Sequence, residues 1–152
     1  MGFIHRRLKL HLSDHEKLKE KESKMKDNQT FYITSWAALV IGIAAYLIGL
    51  WNAELEPAIK GYYFTVFTFG LYAAVSIQKT VRDKIENIPV SGIYYGISWA
   101  AIILALFLFG VAIYQNDNLI LSEKGFYTIA YLMSLFSCIV VQKNVRDSQE
   151  TP

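Results

Sequence analysis

The polar positions of this chain fall in bands, and the stretches between the bands are long and uncharged. Phe31 to Trp51 and Val90 to Gln115 contain no Asp, Glu, Lys, Arg or His. Both exceed the roughly 18 apolar residues that mark a membrane-crossing helix. Two further uncharged runs, Gly61 to Gln78 and Gly125 to Gln142, are opened by Lys60 and Lys124 and closed by a Gln-Lys-x-Val-Arg-Asp signature. From lysine to glutamine is 18 residues in each, or about 27 Å at 1.5 Å per helical residue. That is close to the hydrocarbon thickness of a bilayer. The pattern predicts an all-α integral membrane protein with four transmembrane helices.

The bands themselves are short. Asn52 to Ile59, with Glu54, Glu56 and Pro57, leaves room only for antiparallel neighbours in spans one and two. Lys79 to Pro89 is a basic connector whose proline suits a helix boundary. Gln115-Asn116-Asp117-Asn118 is a turn of residues that bond their own backbone.

The second half repeats the first. Lys60-Gly61-Tyr62-Tyr63 and Gln78-Lys79-Thr80-Val81-Arg82-Asp83 recur as Lys124-Gly125-Phe126-Tyr127 and Gln142-Lys143-Asn144-Val145-Arg146-Asp147, at an offset of 64. Ser35-Trp36-Ala37 recurs as Ser98-Trp99-Ala100 at 63, and Asn52 as Asn116 at 64, which puts one inserted residue within the odd spans. Each repeat is then a two-helix hairpin, 30–84 and 90–147, with a polar head at 1–28 and a tail at 148–152. An even number of crossings per repeat gives both the same orientation, about a pseudo-twofold along the membrane normal. Small residues supply the expected packing seams: Ala38, Gly42, Ala45 and Gly49 on span one, Gly70 and Ala74 on span two, Gly92 and Gly96 on span three.

The head carries eight Lys or Arg and five Asp or Glu. It lacks the apolar core of a secretory signal, and Arg6 stands where a myristoylation motif needs Ser or Thr. Ser13 to Glu16 fits a capping box for a helix from about 14 to 26; its charge density equally suits a disordered tail. Phe3, Ile4, Leu8, Leu10 and Leu12 among basic residues could touch an anionic membrane surface. The head, middle connector and tail together hold 13 basic residues against Lys60 and Lys124 on the other side. By the positive-inside rule both termini are cytoplasmic.

Composition narrows the chemistry. A net charge of +2, with no basic patch interleaved with aromatics outside the spans, excludes nucleic acid. Cys138 is alone, so no internal disulfide can form, and its apolar setting makes it a packing residue. The histidines are His5, His11 and His15; His11 and His15 have a ligand spacing but no third group, so neither a metal nor a cofactor is expected. The span interiors hold no ionisable residue, which weighs against proton-coupled transport. No phosphate loop, nucleophile elbow or metal motif suggests an enzyme.

The repeated boundary residues remain as candidates. Lys79, Arg82, Lys143 and Arg146 sit where cations complement helix dipoles and anionic headgroups. Asp83 and Asp147 follow Lys79 and Lys143 by four residues, a spacing that allows an ion pair. Lys60 and Lys124 open the even spans, a position unfavourable to their own helix dipole. With Asn52 and Asn116 they could converge on an outer mouth, above an interior lined by Tyr46, Thr65, Thr68, Ser76 and Ser134. Anchoring explains the inner cations; docking of a lipid head or cytoplasmic partner is the functional alternative.

These signatures, with Asn52-Ala53-Glu54 and Leu121-Ser122-Glu123 beside them, resemble the YiaA/YiaB family of bacterial inner membrane proteins. The likeness covers about Thr30 to Asp147 and implies two copies of the family's two-helix domain in the cytoplasmic membrane, with no established activity. The head before Met25 departs from the family pattern, and Met25 is an alternative natural start. The leading expectation is a non-enzymatic protein of the lipid bilayer that acts, under stress as one setting, through helix packing with itself as a homo-oligomer or with a membrane partner. The alternative is a small permeation module with a polar outer mouth.

Overall fold

The computed structural model describes residues 2–149, with side chains at Leu12 and from 14 to 147. The side chains of His5, His11 and Ser13, and those of the tail from Ser148, lie outside the described residues. Four helices account for almost all of it: α1 (Gly2–Asn52), α2 (Pro57–Ile85), α3 (Gly92–Gln115) and α4 (Leu121–Gln149). The chain divides into two units, 1–34 and 35–152.

The first unit is helical throughout its described length, where the sequence suggested a disordered tail or a short helix from about 14. Lys, Glu and Leu are strong helix formers, and no glycine or proline interrupts them between Gly2 and Gly42. The backbone is helical at Ser13, so no helix starts there. Lys24 Nζ donates to Glu20 Oε1 at 2.8 Å one turn back; this bond holds the Glu20 carboxyl below its usual range and raises Lys24. Both are fully exposed, so the pair stabilises little.

In the second unit each turn has a local cause. Pro57 stands at the first position of α2, where its missing N–H costs nothing. The helix ends in a Schellman motif: Asn87 is left-handed at φ 58, Ile88 N donates to Asp83 O at 2.8 Å and Asn87 N to Lys84 O at 3.3 Å. Asn is one of the few residues other than Gly that accepts this cap. Ser91 caps α3 by accepting from Tyr94 N at 3.2 Å. Glu123 opens α4 by accepting from Ile120 N at 3.0 Å, half of a capping box.

Three helices are long and apolar enough to cross a membrane: α1 from Asp14, α3, and α4 to Asp147. The fourth, α2, is long enough but richer in Ser, Thr, Tyr and Gly. Its buried side is a continuous stripe, Tyr63, Val66, Phe67, Gly70, Ala73, Ala74, Ile77 and Thr80. By contrast α3, the most apolar helix, buries only Ser98, Ala105 and Phe109. The even helices therefore form the centre and the odd helices flank it.

Aromatic rings fill that centre in matched pairs. Tyr46 stacks on Phe67 at 4.1 Å and 10°, and Phe109 on Tyr131 at 3.9 Å and 4°. Each pair joins the two helices of one hairpin, with Tyr and Phe exchanged between repeats. Tyr131 also lies 6.2 Å from Phe67 and 6.4 Å from Tyr46, so the four rings form one cluster across the repeats. Such contacts add about 0.5–1.5 kcal/mol per pair beyond area burial, and in lipid packing is the main force between helices. Close approach is set by glycine. A Cβ at Gly42 would come within 2.7 Å of Ser134 Oγ and 3.3 Å of Ser134 N; one at Gly70 would collide with the Tyr131 hydroxyl, which donates to Ala105 O at 3.3 Å.

The ring pairs also relocate the extra residue. Tyr46 and Phe109 keep the 63-residue offset, as do the helix ends Asn52 and Gln115. The insertion expected inside an odd span therefore lies after Gln115, in the turn between α3 and α4. An extra residue within the helix would have rotated all that follows by about 100°; in the turn it rotates nothing.

Gly70→Leu should lower stability by about 1–3 kcal/mol through overpacking against a stacked ring. Gly96→Leu, where a Cβ meets nothing within 4 Å, should change it by less than about 0.5 kcal/mol. Unfolding midpoints of the purified variants in mixed micelles check both.

Candidate functional site at the ends of the even helices

The Gln-Lys-x-Val-Arg-Asp signatures end α2 and α4 and meet each other. Arg82 Nη2 donates to Asp147 Oδ1 at 3.3 Å, and Arg146 Nη1 to Asp83 Oδ1 at 3.2 Å. The arginine of each repeat thus binds the aspartate of the other. The same offset of about 64 residues joins Tyr63 to Tyr127 and Phe67 to Tyr131 further along the helices, so α2 and α4 run parallel. Glu86, positioned just ahead of the Asn87 cap, joins the exchange: it accepts from Arg82 Nε at 2.7 Å and from Arg146 Nη2. The Arg82 and Asp83 side chains are only 15% and 16% exposed, so these pairs are screened less than surface ones.

Just above, the same exchange recurs among neutral groups. Thr80 Oγ1 lies 3.0 Å from Ser98 Oγ, joining α2 to α3. Asn144, the equivalent of Thr80, donates through Nδ2 to Ser35 Oγ at 3.0 Å, joining α4 to α1. Ser76 and Tyr94 extend the first contact at 3.1 and 3.4 Å. Apart from Ser76, expected to line an interior, these residues were not among the sequence candidates. The signal was present, since Ser35 and Ser98 match in the repeat and so do Thr80 and Asn144.

The ion pairing differs from the spacing expectation. Asp83 and Asp147 turn to the opposite arginine, not to Lys79 and Lys143 one turn earlier. A planar guanidinium offers several donors to two carboxylates at once, which an ammonium on a flexible stem does not match. Lys79 and Lys143 are exposed, and neither has a carboxylate partner among the described residues. Gln78 and Gln142 stand beside them, half-buried.

At the other end, Lys60 Nζ donates to Trp51 O at 2.9 Å and Lys124 Nζ approaches Tyr114 O at 3.5 Å. Each lysine reaches the last turn of the preceding helix, where carbonyls lack intrahelical partners and the dipole is negative. Their placement is unfavourable for their own helix and favourable for its neighbour. Asn52 Nδ2 binds Ile48 O at 2.8 Å, while Asn116 Nδ2 donates to the Tyr63 hydroxyl at 3.3 Å. The four residues proposed for an outer mouth thus each hold an acceptor of their own.

A groove of about 370 Å³ lies among Gly49, Asn52, Ala53, Ser122, Glu123, Phe126 and Tyr127. It ends on Tyr127, whose ring meets Tyr46 edge-on at 5.6 Å. Gly42 and Gly49 pack against α4, through Ser134 and Phe126, whereas Gly92 and Gly96 face open space. Of the supposed interior lining, Thr65 and Thr68 are exposed and do not face the interior, and the rest is engaged. Thr65, Thr68 and Ser134 bond carbonyls four residues back, and the Tyr46 hydroxyl donates to Tyr63 O. Among the described residues no buried side-chain N or O atom lacks a partner, and no cluster of three His, Cys, Asp or Glu could hold a metal.

Two hairpins in the same orientation, tied by exchanged contacts, define a tandem-repeat helical membrane protein. The yiaA/B two helix domain matches residues 31–83 and again 94–147, so the chain belongs to the YiaA/YiaB family and carries its domain twice. It is 52% identical over 122 residues to the inner membrane protein YiaA of Escherichia coli (strain K12), covering 80% of this chain and 83% of that one. It is 40% identical over 45 residues to the uncharacterized membrane protein YubF of Bacillus subtilis (strain 168), covering 30% of this chain and 52% of that protein. No solved structure matches.

Arg82→Asp places a third carboxylate beside Asp147 and Glu86 and should cost about 2 kcal/mol, between exposed and buried pairs. Adding Asp147→Arg should recover at least half of that loss. A double-mutant cycle on unfolding midpoints reads the coupling.

Proposed function

We propose that this protein is a non-enzymatic helical bundle of the bacterial cytoplasmic membrane that acts by packing against another membrane helix, in a second copy or a different protein. Four crossings with both termini in the cytoplasm complete the reading. The observation that carries it is the one-sidedness of α3. The most apolar helix buries three residues, and its Gly92 and Gly96 pair, which lets helix backbones approach closely in lipid, meets nothing within 4 Å. The name of the Escherichia coli relative supports the cytoplasmic (inner) membrane, and the 13 to 2 division of basic residues supports the orientation. A crossing by α2 is supported by its 29 residues and by its central burial, which shelters Ser76 and Thr80 from lipid. Permeation has less support, because stacked rings occupy the centre beneath the outer groove.

Two measurements test this. Reporter fusions after Asn28, Glu56, Ile85, Asn118 and the C-terminus should read in, out, in, out, in; an external C-terminus would overturn both orientation and the even count. Gly92→Leu with Gly96→Leu should abolish the cross-linked oligomer or stoichiometric complex expected for the wild type in native membranes, with the unfolding midpoint unchanged. An unchanged cross-linking pattern would remove α3 as the contact face.

A further inference from the structure

Lys79 and Lys143 are the cations that the inner ion network leaves over. Arg82 and Arg146 are matched by Asp83, Asp147 and Glu86. Both lysines stand one turn before an aspartate, yet each aspartate is taken by the arginine of the opposite repeat. The duplication therefore presents two equivalent, exposed ammonium groups on the central helices. Their depth is fixed by the chain: Lys79 follows Lys60 by 19 residues, as Lys143 follows Lys124, or about 28 Å along a helix. That places each at headgroup level when its partner lysine is at the opposite boundary. Lys84, at the same end, is different, because its ammonium already sits over the Tyr95 ring at 4.1 Å.

We infer that Lys79 and Lys143 form a pair of sites for the phosphate of an anionic phospholipid, one on each repeat, in the cytoplasmic leaflet. The inference rests on the four-crossing reading, which sets both lysines at that leaflet. An uncompensated cation beside a bilayer surface attracts anionic lipid, and the arginine network keeps the protein's own carboxylates from competing. Charge complementarity and depth select a lipid over an acidic protein, since the boundary between helix and headgroup is where these side chains emerge.

The test uses the full chain in mixed micelles of phosphatidylglycerol and phosphatidylethanolamine, with bound lipids counted by native mass spectrometry. The wild type should retain two phosphatidylglycerol molecules in preference to phosphatidylethanolamine. Lys79→Gln or Lys143→Gln should each weaken one of them about fivefold, the double variant both, and Lys84→Gln neither. Lys79→Arg with Lys143→Arg should keep both. Equal loss in Lys84→Gln would reduce the effect to a general field and overturn the sites, as would two lipids retained by the double variant. So would an acidic cytosolic protein that is lost from the double variant while lipid retention stays constant. Retention does not report orientation, so a fusion pattern that defeats the four crossings and a lipid count that defeats these sites are separate results.

Discussion

The exchange of arginine and aspartate between the two repeats is the contact on which the rest of the second unit depends. Helices in lipid gain nothing from leaving it, so their register must come from close packing and from polar groups with few alternative partners. Arg82 with Asp147 and Arg146 with Asp83 supply that register at one end of α2 and α4. Once the two are parallel and aligned there, Thr80 faces Ser98, Asn144 faces Ser35, and the four rings of Tyr46, Phe67, Phe109 and Tyr131 meet at the centre. Glycine at 42 and 70 then permits the separation that those rings require.

Duplication explains why each contact has a counterpart. A self-complementary surface needs every residue to meet its equivalent's partner, and a tandem repeat joins two such surfaces in one chain. The correspondence is incomplete where the chain must turn. The extra residue after α3 falls outside the helices, and Pro57 opens α2 where Glu123 helps to open α4. Glu86 bridges both arginines from beside the Asn87 cap. Connections tolerate such differences because they alter no packed face.

Much of this was legible in the sequence, for physical reasons that differ residue by residue. Uncharged runs and the 64-residue repeat gave the four helices and their pairing, because lipid forbids charge and duplication preserves spacing. The roles of Lys60 and Lys124 were hidden, since the carbonyls they cap belong to the preceding helix and only the turn brings them near. Spacing along one helix paired Lys79 with Asp83, yet the arginine that takes Asp83 is 63 residues away. Ser35 and Ser98 were seen as repeat markers; their contacts with Asn144 and Thr80 required knowing which hairpins face each other. Propensity spoke for more helix in the head than its charge density allowed.

The central claim is that the repeats are parallel and exchange partners, and paired cysteines test it most directly. With Cys138 replaced by serine, Ser35→Cys with Asn144→Cys, and separately Thr80→Cys with Ser98→Cys, should each be bridged within one chain by a short bifunctional methanethiosulfonate in native membranes, since the native side chains touch at 3.0 Å. Formation of both bridges is the predicted result. If the Ser35 and Asn144 pair stays unbridged while a control pair within one hairpin is bridged, the exchange is absent and the account is contradicted.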